Sequence, residues 1–399
     1  MYTLYCRLFQ AIIRLASCFL PWRKPELIDG VNSLCKLPGF IRKKGISSVL
    51  IVTDQGICAL GLMDGLVKGL EEEEIGYAVY DKTVPNPTID NITEAAQMYR
   101  QNGCQAIIAF GGGSPMDCGK GVGALIARPQ KTIPGMRGLL KVRKKTPPFF
   151  AVPTTAGTGS EATLAAVITD SRTHEKYAIN DHALIPDFAV LDPALTVGLP
   201  PHITATTGMD ALTHAVEAYI GKSNTGETRR LAREAVGLIF DNLYEAYVNG
   251  DTMEARENMQ RASYYAGVAF TRAYVGNVHA LAHQLGGVYG VPHGLANAVI
   301  LPYVLAYYGK SAAKPLAELA ELTGITAPED TQAQKASAFI QAIQEMNAQM
   351  DIPAKIGGIR EEDIPLMAKR AFTEANPLYP VPRVFSVEDF MEMYNRIRE

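Results

Sequence analysis

The chain has 399 residues, of which 47% are hydrophobic, and this length predicts two domains rather than one. Its formal net charge of −3 gives no electrostatic reason to expect a nucleic acid or an anionic membrane as a partner. All six cysteines lie before residue 119 and form no C-x-x-C pair. This pattern suits free thiols in a reducing cytoplasm better than the disulfides of a secreted protein.

The first 22 residues predict an amphipathic helix. Polar residues fall on one side (Arg7, Gln10, Arg14 and Ser17) and apolar residues on the other (Leu4, Leu8, Ile12, Leu15 and Phe19). Two arginines in mid-run argue against a membrane-spanning helix, and the order of charged and apolar residues does not fit a signal peptide. We expect residues 1–24 to form an arm that packs on its own domain or on a partner subunit. Attachment to a membrane surface through the arginine-edged face is the alternative.

The first half of the chain alternates short apolar runs with helix-like segments. The runs at 47–54, 76–81, 104–113 and 148–154 predict buried strands, with helices at 61–74 and 90–102. This alternation favours an α/β domain over residues 25–198 with a doubly wound, mostly parallel sheet. Long helical patterns from residue 209 onward predict an all-helical domain over 199–399, with Pro200 and Pro201 at the joint.

The segment AFGGGSPMDCGK (109–120) follows a predicted strand and opens a helix. Its glycines allow close approach of backbone N–H groups to a ligand, and the positive end of the helix attracts phosphate. Ser114 is expected to be the N-cap, Pro115 the first helical residue, and Asp117 a capping-box acid. The segment is neither G-x-G-x-x-G nor a P-loop. A tight turn without a ligand is the alternative.

Two further features predict contacts with a nucleotide. The stretch PTTAGTGSEAT (153–163) supplies hydroxyl and backbone donors with little bulk. Asp54 ends the first clear strand, where an acid accepts hydrogen bonds from a ribose hydroxyl and repels a 2′-phosphate. A polar loop and a helix N-cap, respectively, are the structural alternatives.

Histidines and one aspartate predict a metal site. In GMDALTHAVEAY (208–219), Asp210 and His214 share a helix face at i and i+4, so both can bind one ion. An ordinary hydrogen bond between them is the alternative. Further along, HALAHQLGGVYGVPH (279–293) holds three of the seven histidines.

These three histidines cannot all serve one ion on a single helix. A continuous helix would separate His279 from His293 by about 21 Å. Glycines and Pro292 interrupt the run, so the chain can leave one helix after residue 285 and begin another near 293. Asp210 and His214 with His293 and either His279 or His283 then form a set of three nitrogens and one oxygen. Such a set selects Fe²⁺ or Zn²⁺ over Mg²⁺ or Ca²⁺.

These motifs, in this order, resemble those of the iron-containing (group III) alcohol dehydrogenases. The resemblance covers about residues 25 to 399 and implies an N-terminal dinucleotide-binding domain, a C-terminal helical domain, and NAD(P) beside one divalent metal. It implies that the metal ligands are Asp210, His214, His279 and His293, with Fe²⁺ as the expected ion and Zn²⁺ as the alternative. It also implies His283 as a proton relay near the nicotinamide.

The resemblance also implies the remaining site residues. The pyrophosphate turn would be Gly111, Gly112, Gly113, Ser114 and Pro115, with Asp117 in the helix that follows. The rest of the dinucleotide site would comprise Thr154, Thr155, Thr158, Thr163 and Lys176. Asp54 matches the acid that favours NAD(H) over NADP(H), and Ala165, Phe270 and Val275 would line an apolar substrate pocket.

The sequence therefore predicts a cytoplasmic, metal-dependent, NAD-linked alcohol dehydrogenase or aldehyde reductase, expected as a homodimer or larger assembly. Its substrate is expected to be a small primary alcohol or diol. Within the class, the alternatives are a lactaldehyde or 1,3-propanediol oxidoreductase and a zinc glycerol dehydrogenase. A dehydroquinate synthase-like lyase and a non-enzymatic nucleotide-binding scaffold are the rivals from other classes.

Overall fold

The computed structural model describes residues 1–172 and 175–399. These residues divide into two compact units, which we call the α/β unit (Pro21–Gly198) and the helical unit (Met1–Leu20 with Leu199–Glu399). The first helix, α1 (Tyr2–Ser17), belongs to the helical unit although it precedes the α/β unit in sequence.

The α/β unit alternates strands and helices. Its strands are β1 (Glu26–Asp29), β2 (Ser48–Val52), β3 (Gly76–Tyr80), β4 (Ala106–Gly111), β5 (Gly138–Leu139), β6 (Phe149–Pro153), β7 (Ala165–Asp170), β8 (Glu175–Asn180) and β9 (Phe188–Leu191). Its helices are α2 (Leu37–Lys43), α3 (Gln55–Ala59), α4 (Asp64–Glu72), α5 (Ile89–Gln101) and α6 (Gly113–Ala127). The four predicted strands and both predicted helices are present within a few residues of their expected bounds.

The main sheet has the order β1-β9-β6-β4-β2-β3, and every neighbouring pair is parallel. A smaller sheet, β5-β8-β7, contains the antiparallel pair β7–β8. The predicted fold class, a doubly wound parallel sheet followed by an all-helical region, is confirmed.

The core of the α/β unit lies on both faces of the main sheet. Along β2, Leu50 and Val52 belong to one buried cluster, whereas Val49 and Ile51 belong to another. Successive side chains on a strand point to opposite faces, so both faces of a parallel sheet need apolar residues. This requirement explains why the strands appear in the sequence as unbroken apolar runs.

The helical unit continues after Leu199 with nine helices among the described residues. They are α7 (Pro201–Ile220), α8 (Gly226–Val248), α9 (Met253–Ala273), α10 (Asn277–Tyr289), α11 (His293–Tyr308), α12 (Ala313–Leu322), α13 (Gln332–Gln349), α14 (Ile364–Ala375) and α15 (Val387–Ile397). Helix α7 packs against α8, α9 and α11, and every residue from Gly208 to Ile220 is buried. A helix buried on all sides is expected to be apolar all round, so its few polar residues require an explanation.

Helix α1 packs on the helical unit through its polar side. Arg7 donates from Nη1 to Val381 O (2.7 Å) and from Nη2 to Pro382 O (2.9 Å). Gln10 Nε2 donates to Pro377 O (3.0 Å) and Tyr379 O (2.8 Å). The apolar side of the helix is exposed. None of the helices in residues 1–172 and 175–399 combines the length and apolarity that a membrane span requires.

Candidate functional site

Four side chains of the helical unit converge on one point. Asp210 and His214 come from α7, His279 from α10 and His293 from α11, and one potential ligand atom from each lies within 4.8 Å of all the others. We call them the four-residue cluster. Three members are buried, and the side chain of His293 is one-third exposed.

The spacing within the four-residue cluster suits a common ion. Asp210 Oδ1 lies 4.0 Å from His214 Nδ1, 3.9 Å from His279 Nε2 and 3.6 Å from His293 Nε2. Two ligand atoms on one tetrahedral ion, each about 2.1 Å from it, lie about 3.4 Å apart. Three imidazole nitrogens, one carboxylate oxygen and no thiolate form a donor set for a divalent first-row ion. The residues present therefore fit a metal of that kind.

A break between α10 and α11 brings His279 and His293 together. Helix α10 ends at Tyr289, and Gly290 follows in the left-handed conformation (φ +68°), which glycine adopts most easily. Helix α11 then begins at His293, next to Gly294, where a Cβ would lie 2.4 Å from Thr206 O of α7. The predicted return is present. The predicted exit after residue 285 is wrong, because Gly286 and Gly287 continue the helix and only residues 290–292 interrupt it.

Glu217 orients His279. Its Oε2 lies 2.7 Å from His279 Nδ1, and its carboxylate also accepts the N–H groups of Gly276 (2.7 Å) and Val278 (2.8 Å). Burial raises the pKa of Glu217 to about 8, while these donors act in the opposite direction. The bond to Nδ1 directs Nε2 of His279 towards the four-residue cluster. A carboxylate behind a histidine in this way fixes the tautomer of a metal-binding imidazole.

Asn297 also contacts the four-residue cluster. It lies one turn after His293 on α11 and is fully buried. Its Nδ2 lies 2.6 Å from Asp210 Oδ1, 3.2 Å from His279 Nε2 and 3.1 Å from His293 Nε2. The Oδ1 atom is buried without a hydrogen-bond partner among the described residues. Three acceptor atoms thus point at one electropositive group, which is how they would point at a cation.

His283 has a different environment from His279, although both lie on α10. Its Nδ1 is 2.6 Å from Glu374 Oε1, and its ring stacks on that of His293 with centroids 5.2 Å apart. Tyr379 OH and Gln284 Nε2 hold the same carboxylate at 3.0 Å each. The side chain of His283 is about one-quarter exposed, so it can exchange a proton with solvent. Spacing alone left His279 and His283 equivalent, whereas the structure brings only His279 into the four-residue cluster.

One of the three residues predicted to contact substrate lies against the four-residue cluster, since the ring of Phe270 stacks on His214 at 4.1 Å. Val275 lies in the turn before α10, beside Gly276, whose N–H group donates to Glu217. Ala165 begins β7 in the α/β unit and is half-buried.

The glycine turn of the α/β unit joins β4 to α6. Gly111 has φ +143°, a conformation that L-residues rarely adopt, and a Cβ there would lie 2.7 Å from Pro115 Cγ. The N-cap is Gly112, so the prediction of Ser114 as N-cap and Pro115 as first helical residue is wrong by two positions. No side chain caps this helix, which leaves its first N–H groups available to an anion.

The threonine-rich segment lies against this turn. Thr154 N donates to Gly111 O (3.0 Å), and Thr155 and Thr158 are the nearest side chains to Gly112 and Gly113. Lys176 Nζ donates to Asn86 Oδ1 (2.7 Å), and the backbone N–H of Asn86 donates to Ser114 Oγ (3.2 Å). The glycine turn follows β4 and the threonine-rich segment follows β6, so both lie at the carboxyl end of the main sheet, where α/β folds bind ligands.

Asp117 and Thr163 point instead into a buried polar network. Lys120, which is 1% exposed, donates from Nζ to Thr163 Oγ1 (2.8 Å) and Ser160 Oγ (3.0 Å). The Asp117 carboxylate accepts from Ser160 Oγ and from Val167 N, both at 3.1 Å. Burial raises the pKa of Asp117 and lowers that of Lys120 to about 8.

Asp54 caps a helix, as the alternative interpretation of this residue predicted. It is the N-cap of α3, and its carboxylate accepts from Ile57 N at 3.0 Å. One carboxylate oxygen can serve the cap while the other faces a ligand, so the two interpretations are compatible.

Comparison with known proteins identifies the family. The iron-containing alcohol dehydrogenase profile matches residues 25–193, and the C-terminal profile of the Fe-containing alcohol dehydrogenase family matches residues 204–398. The chain belongs to the iron-containing alcohol dehydrogenase family. It is an oxidoreductase of that family, which decides against a lyase or a scaffold.

Individual relatives agree with this assignment. The 1,3-propanediol dehydrogenase of Citrobacter freundii is 39% identical and spans 93% of this chain and 95% of its own. The NAD-dependent methanol dehydrogenase of Bacillus methanolicus is 37% identical over 94% of this chain and 98% of its own. A crystal structure of a 1,3-propanediol oxidoreductase matches with a TM-score of 0.91 and 36% identity, covering 95% of this chain and 100% of that one.

Proposed function

We propose that Asp210, His214, His279 and His293 bind one divalent ion in this iron-containing alcohol dehydrogenase, Fe²⁺ in the first place and Zn²⁺ as the alternative. The observation that carries the proposal is the convergence of three imidazoles and one carboxylate within 4.8 Å. The bond from Glu217 to His279 supports it, since a carboxylate of this kind typically backs a metal-binding histidine. The full set of four also favours this family's iron enzymes over a zinc glycerol dehydrogenase.

Three residues around the proposed metal site would then have separate roles. The ion, when bound, acts as a Lewis acid that favours the alkoxide form of an alcohol. Glu217 keeps a proton on Nδ1 of His279 and so leaves Nε2 as an electron-pair donor. His283, held by Glu374 and partly exposed, passes a proton between the reacting oxygen and solvent. Phe270 covers one face of His214 and limits the access of water.

We propose NAD(H) as the nicotinamide cofactor, which supplies the hydride chemistry. Gly111 to Pro115 would hold the pyrophosphate at the start of α6, and Thr154, Thr155, Thr158 and Lys176 would complete the site. Asp54 would bind a ribose hydroxyl and repel the extra phosphate of NADP. Asp117 and Thr163 would act indirectly, because Lys120 and Ser160 already occupy their polar atoms.

The substrate we propose is a small primary alcohol or 1,3-diol, with the corresponding aldehyde in the reverse direction. The apolar side chains of Phe270 and Val275 suit a short carbon chain, and Ala165 would add little bulk. The similarity to 1,3-propanediol dehydrogenase favours a diol, while lactaldehyde is the alternative.

One experiment tests metal, cofactor and substrate class together. Protein prepared without oxygen is analysed for iron and zinc and then assayed for oxidation of NADH and NADPH with propanal, 3-hydroxypropanal and lactaldehyde. We expect one metal ion per chain and faster turnover with NADH. Metal-free protein that oxidises neither cofactor, even after addition of Fe²⁺ or Zn²⁺, would contradict the proposal.

We also propose a cytoplasmic location and a homodimer or larger homo-oligomer. All six cysteines lie among the described residues and none forms a disulfide, which suits a reducing compartment. Light scattering on the purified protein gives the mass of the assembly, and a monomer at micromolar concentration would contradict the second part.

A further inference from the structure

The exposed side of α1 has no role in the catalytic proposal. Leu4, Leu8, Ile12 and Leu15 form its outward face, Phe19 follows two residues after its end, and each of these five residues is between 59% and 83% exposed. Isolated exposed apolar residues are ordinary, but a contiguous row along one helix is not. The row requires a partner that removes it from water.

The helix cannot turn this face inward without losing its anchors. Arg7 and Gln10 together donate four hydrogen bonds to the carbonyl groups of Pro377, Tyr379, Val381 and Pro382. At one end, the ring of Tyr2 stacks on Phe372 of α14 at 5.3 Å. The arrangement is the reverse of a surface helix that packs its apolar face on the core. The helical unit therefore presents this face to its surroundings.

The apolar surface is large. At roughly 150–250 Å² for a full side chain, the exposed fractions of these five residues amount to about 500–850 Å², at or above the ~300–600 Å² of the largest apolar patch on a typical monomer. The apolar positions from Leu4 through Ile12 to Phe9 span about 140° of the helix circumference at 100° per residue. A partner helix in a coiled-coil seam covers only the narrower stripe of its a and d positions.

The charge around α1 points to the nature of the partner. Helix α1 contains Arg7 and Arg14 but no aspartate or glutamate, although the chain as a whole carries −3. Arg14 is exposed at the edge of the apolar face, and its Nη1 donates to the carbonyl of the exposed Lys222 (3.3 Å). A wide apolar face with a basic edge is complementary to a bilayer that contains anionic lipids.

We propose that α1 is an interfacial membrane-binding helix that lies in the plane of an anionic bilayer and attaches the helical unit to it reversibly. Its apolar face enters the boundary between headgroups and acyl chains, while Arg14 and Lys222 meet lipid phosphates. Arg7 and Gln10 transmit the attachment to the rest of the unit. With 16 residues the helix lies on the membrane and does not cross it.

Sedimentation with lipid vesicles tests the proposal on the full chain. The vesicles contain phosphatidylcholine alone or with about 30% phosphatidylglycerol. We expect the wild type to pellet with the anionic vesicles at low salt, and less in high salt. Leu8→Glu/Ile12→Glu is expected to lower the vesicle partition coefficient at least tenfold. The matched control is Leu60→Glu/Val248→Glu, at two exposed positions outside α1, which is expected to bind as the wild type does.

Activity in solution and molecular mass complete the test. Both double variants are expected to keep wild-type NADH-linked turnover, which shows that they are folded, and to keep the wild-type oligomeric mass. Wild-type protein that stays in the supernatant with anionic vesicles at low salt overturns the proposal. So does equal binding by the wild type and Leu8→Glu/Ile12→Glu. A lower oligomeric mass for that variant, without vesicle binding by the wild type, would assign the face to a second copy of the chain instead.

Discussion

At the scale of single residues, Glu217 is the side chain on which the proposed metal site depends most after the ligands themselves. Glu217→Gln replaces an acceptor by an amide, one end of which is a donor facing other donors. We expect the dissociation constant for Fe²⁺ or Zn²⁺ to rise about 10- to 100-fold. Competition with a chromogenic chelator measures it, and Glu318→Gln on α12 is the matched control. Equal affinity in the wild type and Glu217→Gln would show that Glu217 does not position His279.

His283 and His279 should separate metal binding from proton transfer. We expect His283→Ala to retain its metal but to lose about 100-fold or more in turnover, since a positioned acid–base group contributes ~10²–10⁴-fold. His279→Ala should lose the metal, and His202→Ala, at an exposed position on α7, should change neither property. Metal analysis and steady-state kinetics check this. A metal-free His283→Ala beside a metal-loaded His279→Ala would reverse the two roles.

Some of the residues that surround the candidate site could not be predicted from the sequence. The ligand candidates could be predicted because histidine and aspartate are rare on an apolar helix and lie at i, i+4 spacing. Glu217 and Glu374 were not predicted, because their histidine partners lie 62 and 91 residues away in sequence. Asn297 was also missed, although it lies four residues after His293. Glu217 and Asn297 both left a local signal, since each is a polar residue about one turn after a histidine on an otherwise apolar helix.

At the scale of elements, the turn from β4 into α6 can be tested through Gly111. Gly111→Ala places a Cβ within 2.7 Å of Pro115 Cγ at a φ of +143°, so the turn must change shape. We expect the dissociation constant for NADH to rise at least tenfold, as measured by fluorescence titration. Gly65→Ala on α4, where a Cβ meets nothing within 4 Å, is the control and should leave the dissociation constant for NADH unchanged. Its free energy of unfolding should be unchanged or higher by about 0.5–1 kcal/mol. A folded Gly111→Ala protein with wild-type NADH affinity would contradict the proposed cofactor site.

The sequence predicted the presence of strands and helices where the periodic pattern was long, but it did not predict where they end. Apolar runs predicted β2, β3, β4 and β6 because parallel strands bury both faces. The start of α6 and the end of α10 were misplaced. Backbone geometry decides both ends: a glycine N-cap in one case and the left-handed Gly290 in the other. A pattern of side chains does not contain that information.

At the scale of the whole molecule, Glu161, which follows Ser160 in the α/β unit and is 2% exposed, predicts a dependence of stability on pH. Burial raises the pKa of Glu161 to about 7 from 4.5. The folded protein then holds this proton more tightly than the unfolded chain does. The free energy of unfolding therefore falls as the pH rises from about 4.5 to 7, by on the order of 2–3 kcal/mol.

Glu161→Gln removes this titration. Relative to the wild type, the variant should gain on the order of 2–3 kcal/mol of unfolding free energy between pH 5 and pH 8, measured by urea denaturation. Glu175→Gln, at a half-exposed position on β8, is the control and should show no such difference. A wild-type and Glu161→Gln pair whose stabilities differ equally at both pH values would contradict the prediction.

The orientation of α1 is a property of the whole chain that its own sequence did not determine. Its amphipathic pattern predicted a helix with an arginine-edged polar side. The pattern could not show that carbonyl groups more than 200 residues away would bind that polar side and leave the apolar side exposed.

Anomalous diffraction from crystals grown with Fe²⁺ under anaerobic conditions tests the central claim most directly. The four-residue cluster predicts one strong anomalous peak per chain, about 2.0–2.2 Å from Asp210, His214, His279 and His293 and beyond bonding distance of His283. A peak bound to His283 and Glu374, or no peak within reach of Asp210, would contradict it.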